Sequence, residues 1–197
     1  MKIITTFLGV LAVSYAASTS KAACRNFPGV KDFNANEYFK GRWCLTNIEK
    51  TYGPTGVCQE SKSEVLNDGT VKHLISSYGQ GRTPEFLHIE CTTNTKDIGK
   101  DGKVVLQCKI LNPTSETGEG FEMNATVVDT DYVSYSLFHV CEDVKGETDG
   151  GDLLVLGRCN NEPSDNPKVK EAVKSLGLNL DNFSARKSIK CKQDPDF

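Results

Sequence analysis

No apolar run in the 197 residues is long enough to cross a bilayer of about 30 Å as a helix. The longest, Ile3 to Ala16, holds 14 residues behind Lys2, which is the pattern of a secretory leader. Ser14 and Ala16 offer one cleavage site; Ser20 and Ala22, just before Cys24, offer a second, and we prefer the second. That gives a leader over 1–22 and, with no internal repeat, low-complexity block or linker behind it, a single domain over 23–197. Basic charge is also scarce. Removing the leader takes away Lys2 and Lys21 and no acid, leaving 21 basic and 26 acidic groups and a net charge of −5. Phosphate backbones require a basic surface, so nucleic acid is not an expected partner, and neither is a membrane. Gly-x-Ser-x-Gly, catalytic carboxylates in a recognisable motif, Cys-x-x-Cys and His-x-x-x-His are all missing, and His73, His88 and His139 are scattered. Neither catalysis nor a metal site is expected.

Cysteine is plentiful. All eight (Cys24, Cys44, Cys58, Cys91, Cys108, Cys141, Cys159, Cys191) follow the leader, and an even number in an oxidising compartment reads as disulfides. Eight cysteines allow roughly a hundred pairings, and the sequence alone selects none. Asn124-Ala-Thr126 and Asn182-Phe-Ser184 are glycosylation sequons; Asn112-Pro-Thr114 is blocked by its proline.

Turn residues punctuate the domain at short intervals. Asn67-Asp-Gly69 separates two strand-like runs and is a strong hairpin signal. Eight runs rich in β-branched and aromatic residues lie between the turns, at 41–48, 57–66, 70–77, 85–92, 103–111, 121–128, 132–141 and 152–159. Eight strands joined by hairpin-length turns predict an all-β, antiparallel up-and-down barrel, closed so that no edge is left. The tail predicts an α-helix packed outside it: Asn166 as N-cap, Pro167 at the first position, an apolar stripe of Val169, Ala172, Val173 and Leu176, and Gly177 as the stop. Lys168, Lys170 and Lys174 read as its solvated face.

Gly41-x-Trp43 opening the first strand resembles the lipocalin signature, with Asp129-Thr-Asp131-Tyr132 before the seventh strand and Arg158 ending the eighth in lipocalin order. The resemblance implies that Arg158 lies over Trp43 at the closed base, a cation–π contact of about 0.5–2 kcal/mol. Segments 32–39, Cys58, 139–141, 151–158 and 168–173 through Cys191 are similar to the salivary lipocalins of blood-feeding triatomine bugs, a group of nitrophorins, platelet-aggregation inhibitors, biogenic-amine binders and triabin-like inhibitors. It implies the bridges Cys24–Cys141 and Cys58–Cys191. For the other four cysteines, Cys91 and Cys108 flank the Gly99–Gly102 turn almost symmetrically. If Trp43 and Arg158 point inward, alternation sends Cys44 and Cys159 outward at the same end of neighbouring strands.

A barrel of this kind has room for one small ligand. With Trp43 inward, parity turns Leu45 and Asn47 inward, and Leu154 and Leu156 follow Arg158; a glycan on Asn124 would face outward and leave Phe121, Met123 and Ala125 inside. Polarity does not separate the two faces of the seventh strand, from which Tyr135 joins the candidates. The expected ligand set is Leu45, Asn47, Phe121, Met123, Tyr135, Leu154 and Leu156. No cofactor is expected. Haem is the disfavoured alternative: the resemblance places its axial histidine at Ser77, leaving His73, four residues earlier on the same face. The favoured function is sequestration of a small host mediator of haemostasis or inflammation by a secreted, salivary, monomeric protein. A biogenic amine would need an inward carboxylate, for which Asp32, Glu37, Glu64, Glu85 and Glu90 are candidates. An eicosanoid would use the apolar wall plus an Arg, Asn or Tyr, and an adenine nucleotide would need a cation such as Lys72 or Arg82. The alternative is a triabin-type inhibitor that binds a host coagulation protein.

Overall fold

A computed structural model describes residues 24–50, 56–79, 86–111, 120–143, 150–159 and 166–197. The proposed leader, residues 1–22, and candidates Arg82 and Glu85 lie outside the described residues.

Eight antiparallel strands form the barrel: β1 (Gly41–Ile48), β2 (Gln59–Val65), β3 (Thr70–Tyr78), β4 (Phe86–Asn94), β5 (Lys103–Ile110), β6 (Phe121–Thr130), β7 (Tyr135–Asp143) and β8 (Asp152–Gly157). Each pairs with its successor where the two are adjacent in the sheet, and β1 pairs with both β8 and β2, which closes the sheet. In the β2–β3 hairpin Gly69 takes φ 83°, a left-handed value that glycine adopts without a Cβ clash, and its N–H donates to Leu66 O at 2.9 Å. The predicted start of β7 at 132 moves to Tyr135. Tyr132 adopts φ 63°, and Asp131 Oδ1 accepts the N–H groups of Val133, Ser134 and Tyr135, so the chain turns for three residues before pairing resumes.

Two short elements escape the strand pattern. Helix α1 (Ala35–Tyr38), with Asn34 Oδ1 accepting from Glu37 N, delivers Tyr38 and Phe39 into the base of the barrel. Strand β9 (Ser184–Ala185) pairs with Asn47 and Ile48 of β1, beyond the point where β1 leaves β2. Helix α2 (Pro167–Ser175) has the predicted cap, Asn166 Oδ1 accepting from Lys168 N at 3.0 Å. It sets Val169 and Val173 against Leu137, Leu153 and Val155 on the outside of β7 and β8, which is why β8 is buried on both faces.

Four disulfides hold this arrangement: Cys24–Cys141, Cys44–Cys159, Cys58–Cys191 and Cys91–Cys108. The last joins directly paired residues of β4 and β5 and is buried within the barrel core. At about 2–4 kcal/mol each, they stabilise chiefly by restricting the unfolded chain.

Candidate functional site

The base of the barrel is built first, because it sets the floor of the site. Trp43 is 1% exposed, and its indole N–H donates to Tyr38 O at 3.1 Å. The Arg158 guanidinium lies 3.6 Å from the centre of the Trp43 ring system. Its Nη1 donates to Lys40 O (2.8 Å) and Arg42 O (3.1 Å), and its Nη2 to Tyr132 O (2.7 Å), so one cation ties together three carbonyls at the closed end. Desolvation lowers the Arg158 pKa, opposed by attraction to Tyr38 and Asp131.

Above that floor is a hollow of ≈ 680 Å³, counting all space not filled by atoms and including its opening, of which ≈ 90 Å³ can hold the centre of a water-sized sphere. Leu45, Phe121, Met123, Leu154 and Leu156 line it, as parity predicts. Asn47 does not. A β-bulge between Leu45 and Asn47 resets the register so that Asn47 stands opposite Val155, of the outer cluster, and Ile48 opposite Leu154, of the inner one. Asn47 is 4% exposed, and its Oδ1 has no hydrogen-bond partner among the described residues. Tyr135 is also outside: it packs with Leu137 and α2, and its hydroxyl donates to Asp129 at 3.1 Å. Burial and the neighbouring Asp129 carboxylate raise the pKa of that hydroxyl. The inward set of β7 is Ser136, Phe138 and Val140, with Ser136 Oγ 3.0 Å from Tyr38 Oη. A bulge in β6 after Val127 sets Asp129 opposite Leu137, and sequence polarity carried no mark of it.

The polar lining is Tyr38, Gln59, Glu60, Ser61 and His73. Burial pushes the His73 pKa down to about 4, so the imidazole is neutral, and its Nδ1 lies 2.7 Å from Ser63 Oγ. Glu60 is held by Arg42 Nη2 at 2.5 Å and Arg186 Nη2 at 2.7 Å. None of the described carboxylates expected to face the cup lies on its wall: Asp32, Glu37 and Glu64 are exposed, and Glu90 forms an ion pair with Lys109 at 2.7 Å. Lys72, the described nucleotide-binding candidate, is exposed as well. Asp152, a carboxylate not among those expected, is on the inward parity of β8 but does not line the hollow. It begins β8 opposite Val140, two and four residues before the inward Leu154 and Leu156, and is 9% exposed at the open end. The same parity that found the leucines points to it.

The model of the Nitrophorin family matches residues 24–197. The chain belongs to that family. Among the chain's curated relatives, pallidipin of Meccus pallidipennis is 28% identical over 97% of this chain and 98% of its own. Of solved structures, the tryptamine complex of the amine-binding protein of Rhodnius prolixus has a TM-score of 0.75 at 24% identity, covering 89% of this chain and 92% of that one. A leukotriene C4 complex of the protein LTBP1 has a TM-score of 0.54 at 19% identity, covering 88% and 99%. The family match and these likenesses place the chain among the lipocalins of the triatomine salivary group, one of whose solved members is named as a biogenic amine-binding protein.

Membership in a family named for nitrophorins raises haem, and the residues here do not fit it. Ser77 brings a hydroxyl, already accepting from Gln59 Nε2 at 3.1 Å. His73 sits deep in the barrel, its ring 6.0 Å from that of Phe39, its Nδ1 2.7 Å from Ser63 Oγ and its backbone paired with Ser63 and Cys91.

Asn124 is on the outward parity of β6, between the inward Met123 and Ala125, and Asn182 is exposed in a short 3-10 turn; both positions would leave a glycan clear of the cup.

Proposed function

We propose that this chain is a secreted lipocalin that sequesters one small aromatic amine, a host mediator of haemostasis or inflammation, without chemical turnover. One observation carries the choice among ligand classes: no Arg or Lys lines the described wall of the cup, while Asp152 stands on the inward parity of β8 and the Glu60 carboxylate is held outside the barrel by Arg42 and Arg186. An eicosanoid carboxylate or a nucleotide phosphate would be desolvated there without a cation, at a cost that a buried charge does not recover unpaired. An ammonium would instead end near Asp152, with its ring between Phe121, Met123 and Phe138 and stopped by the neutral floor of Tyr38, Ser61 and His73. The tryptamine complex of the Rhodnius prolixus relative supports this reading by analogy. Leu45, Phe121, Met123, Leu154 and Leu156 would make the apolar contacts.

The test is calorimetric titration of the mature protein with tryptamine, serotonin, leukotriene C4 and ADP in parallel. The amines should bind one to one and the two anions should not. Binding of the leukotriene alone would transfer the reading to lipid mediators. No small-molecule binding together with a prolonged clotting time would move it to a coagulation-protein inhibitor of triabin type.

A further inference from the structure

The wall of the cup has two chemically distinct sides. From β2 and β3 it receives Gln59, Ser61 and His73, whereas from β6, β7 and β8 it receives Met123, Phe138, Leu154 and Leu156. On the polar side the register sets Ser63 directly opposite His73, with Ser61 two residues further along the same face of β2. His73 is 6% exposed, and burial keeps its ring neutral. Its Nδ1 lies 2.7 Å from Ser63 Oγ, and the ring stands edge-on to Phe39, so both its position and its tilt are fixed before any ligand arrives. The other nitrogen is left over. His73 lines the hollow, yet among the described residues no hydrogen bond reaches its Nε2. Ser61 is loosely engaged as well: its hydroxyl stands 3.5 Å from Trp43 O, at the outer limit of a hydrogen bond.

We propose that the Ser63–His73 pair sets the selectivity of the cup, favouring a ligand whose buried end carries a hydroxyl on its ring. The proposal deepens the reading of the cup as an aromatic-amine site and rests on it. A neutral imidazole has one donor nitrogen and one acceptor, and Nδ1 can play either part toward a serine hydroxyl. Whichever part Nδ1 takes, Nε2 plays the other, and a hydroxyl, which both donates and accepts, suits either tautomer. Ser61, on the same face, offers that hydroxyl a second partner. A ring ending in C–H would instead displace solvent from Nε2 without replacing its hydrogen bond, and a buried polar atom left unpaired costs more than an average bond contributes. The stripe is also uncharged. A carboxylate or phosphate at the buried end would meet no cation on this side of the wall. Because Ser63 and Phe39 already hold the imidazole, binding orders little that was free.

The experiment is calorimetric titration of the full mature chain with two matched pairs, serotonin against tryptamine and 5-hydroxyindole against indole, in the parent and in two variants. In the parent the hydroxylated member of each pair should bind about tenfold tighter, the effect of leaving one buried polar atom unpaired. Ser63→Ala combined with His73→Phe removes both partners together, so neither is stranded, and should bring each ratio below about twofold. His73→Gln sets an amide near the place of Nε2 and should keep a ratio of about threefold or more. Each ratio compares two ligands on one protein, so partial loss of folded material cancels; should the double variant fail to fold, the parent ratio and His73→Gln decide the matter. Serotonin and tryptamine bound with equal affinity, or a preference unchanged in the double variant, would overturn the proposal while leaving the amine reading in place. Preference for 5-hydroxyindole over indole with neither amine bound would overturn the amine reading and support selection of the hydroxyl. No binding of any of the four would overturn both.

Discussion

At the base of the barrel, Trp43, Tyr38 and Phe39 are at most 2% exposed, and Arg158 binds three backbone carbonyls across them. At the other end, Val140 and Phe121 border a hollow instead of a packed layer, and Asp152 is paired with Val140. The strands are continuous between the two, so the difference comes from side chains and from α1, which places two aromatic rings at one end only. Filling one end spends its surface on stability; leaving the other unfilled keeps apolar surface for a guest. Substitutions at the base should therefore cost folding free energy, and those at the mouth should cost affinity.

The largest expected effect is at the base. Trp43→Ala removes the largest fully buried side chain and should destabilise the protein by about 3–5 kcal/mol in urea unfolding with the disulfides intact. A loss of similar size from a substitution at the rim would erase the contrast between the ends.

Next comes the floor of the cup, through pH. His73 is held near 4, below its ordinary 6.5, so between those values the unfolded chain binds a proton that the folded chain refuses. Its contribution is constant above pH 6.5, falls as pH drops from 6.5 toward 4, and amounts to a loss of ~3 kcal/mol below that. Urea midpoints at pH 7.5 and 4.5 should show the loss, and His73→Gln should flatten it; an unchanged slope in the variant would assign the pH dependence to other groups. Arg158→Met, which gives up the indole contact and the three carbonyls, should cost about 2 kcal/mol. The smallest effect in stability is the most informative for function. Asp152→Asn should leave unfolding within about 1 kcal/mol yet weaken tryptamine about tenfold, as loss of a charge-assisted contact does. A variant that binds tryptamine as tightly as the parent would remove Asp152 from the site.

The barrel, the outer helix and the base pair Trp43–Arg158 were legible in the sequence because each leaves a periodic or spaced mark: turns between short β-branched runs, a capped apolar stripe, and a lipocalin-like order of residues. Two cysteine pairs could be placed by local symmetry and strand parity, and two only through the family resemblance. The site was legible where alternation runs unbroken. It gave Leu45 and, on β8 and β6, Leu154, Leu156, Phe121 and Met123, and it failed one bulge later at Asn47, since a single extra residue exchanges the two faces. Tyr135 was misplaced for a related reason: β7 carries aromatic or aliphatic residues on both faces, because one face fills the barrel and the other receives α2. Tyr38, from a one-turn helix too short for periodicity, fell within the family-like segment 32–39 but carried no mark of its place in the cup.

Titration of the mature protein with tryptamine, repeated on Met123→Trp, tests most directly whether the hollow is a binding site. The account predicts saturable one-to-one binding by the parent and its loss in the variant, where the added indole occupies the space between Phe121 and Phe138. Tryptamine binding that survives the filled cup, or no binding by the parent, would contradict it.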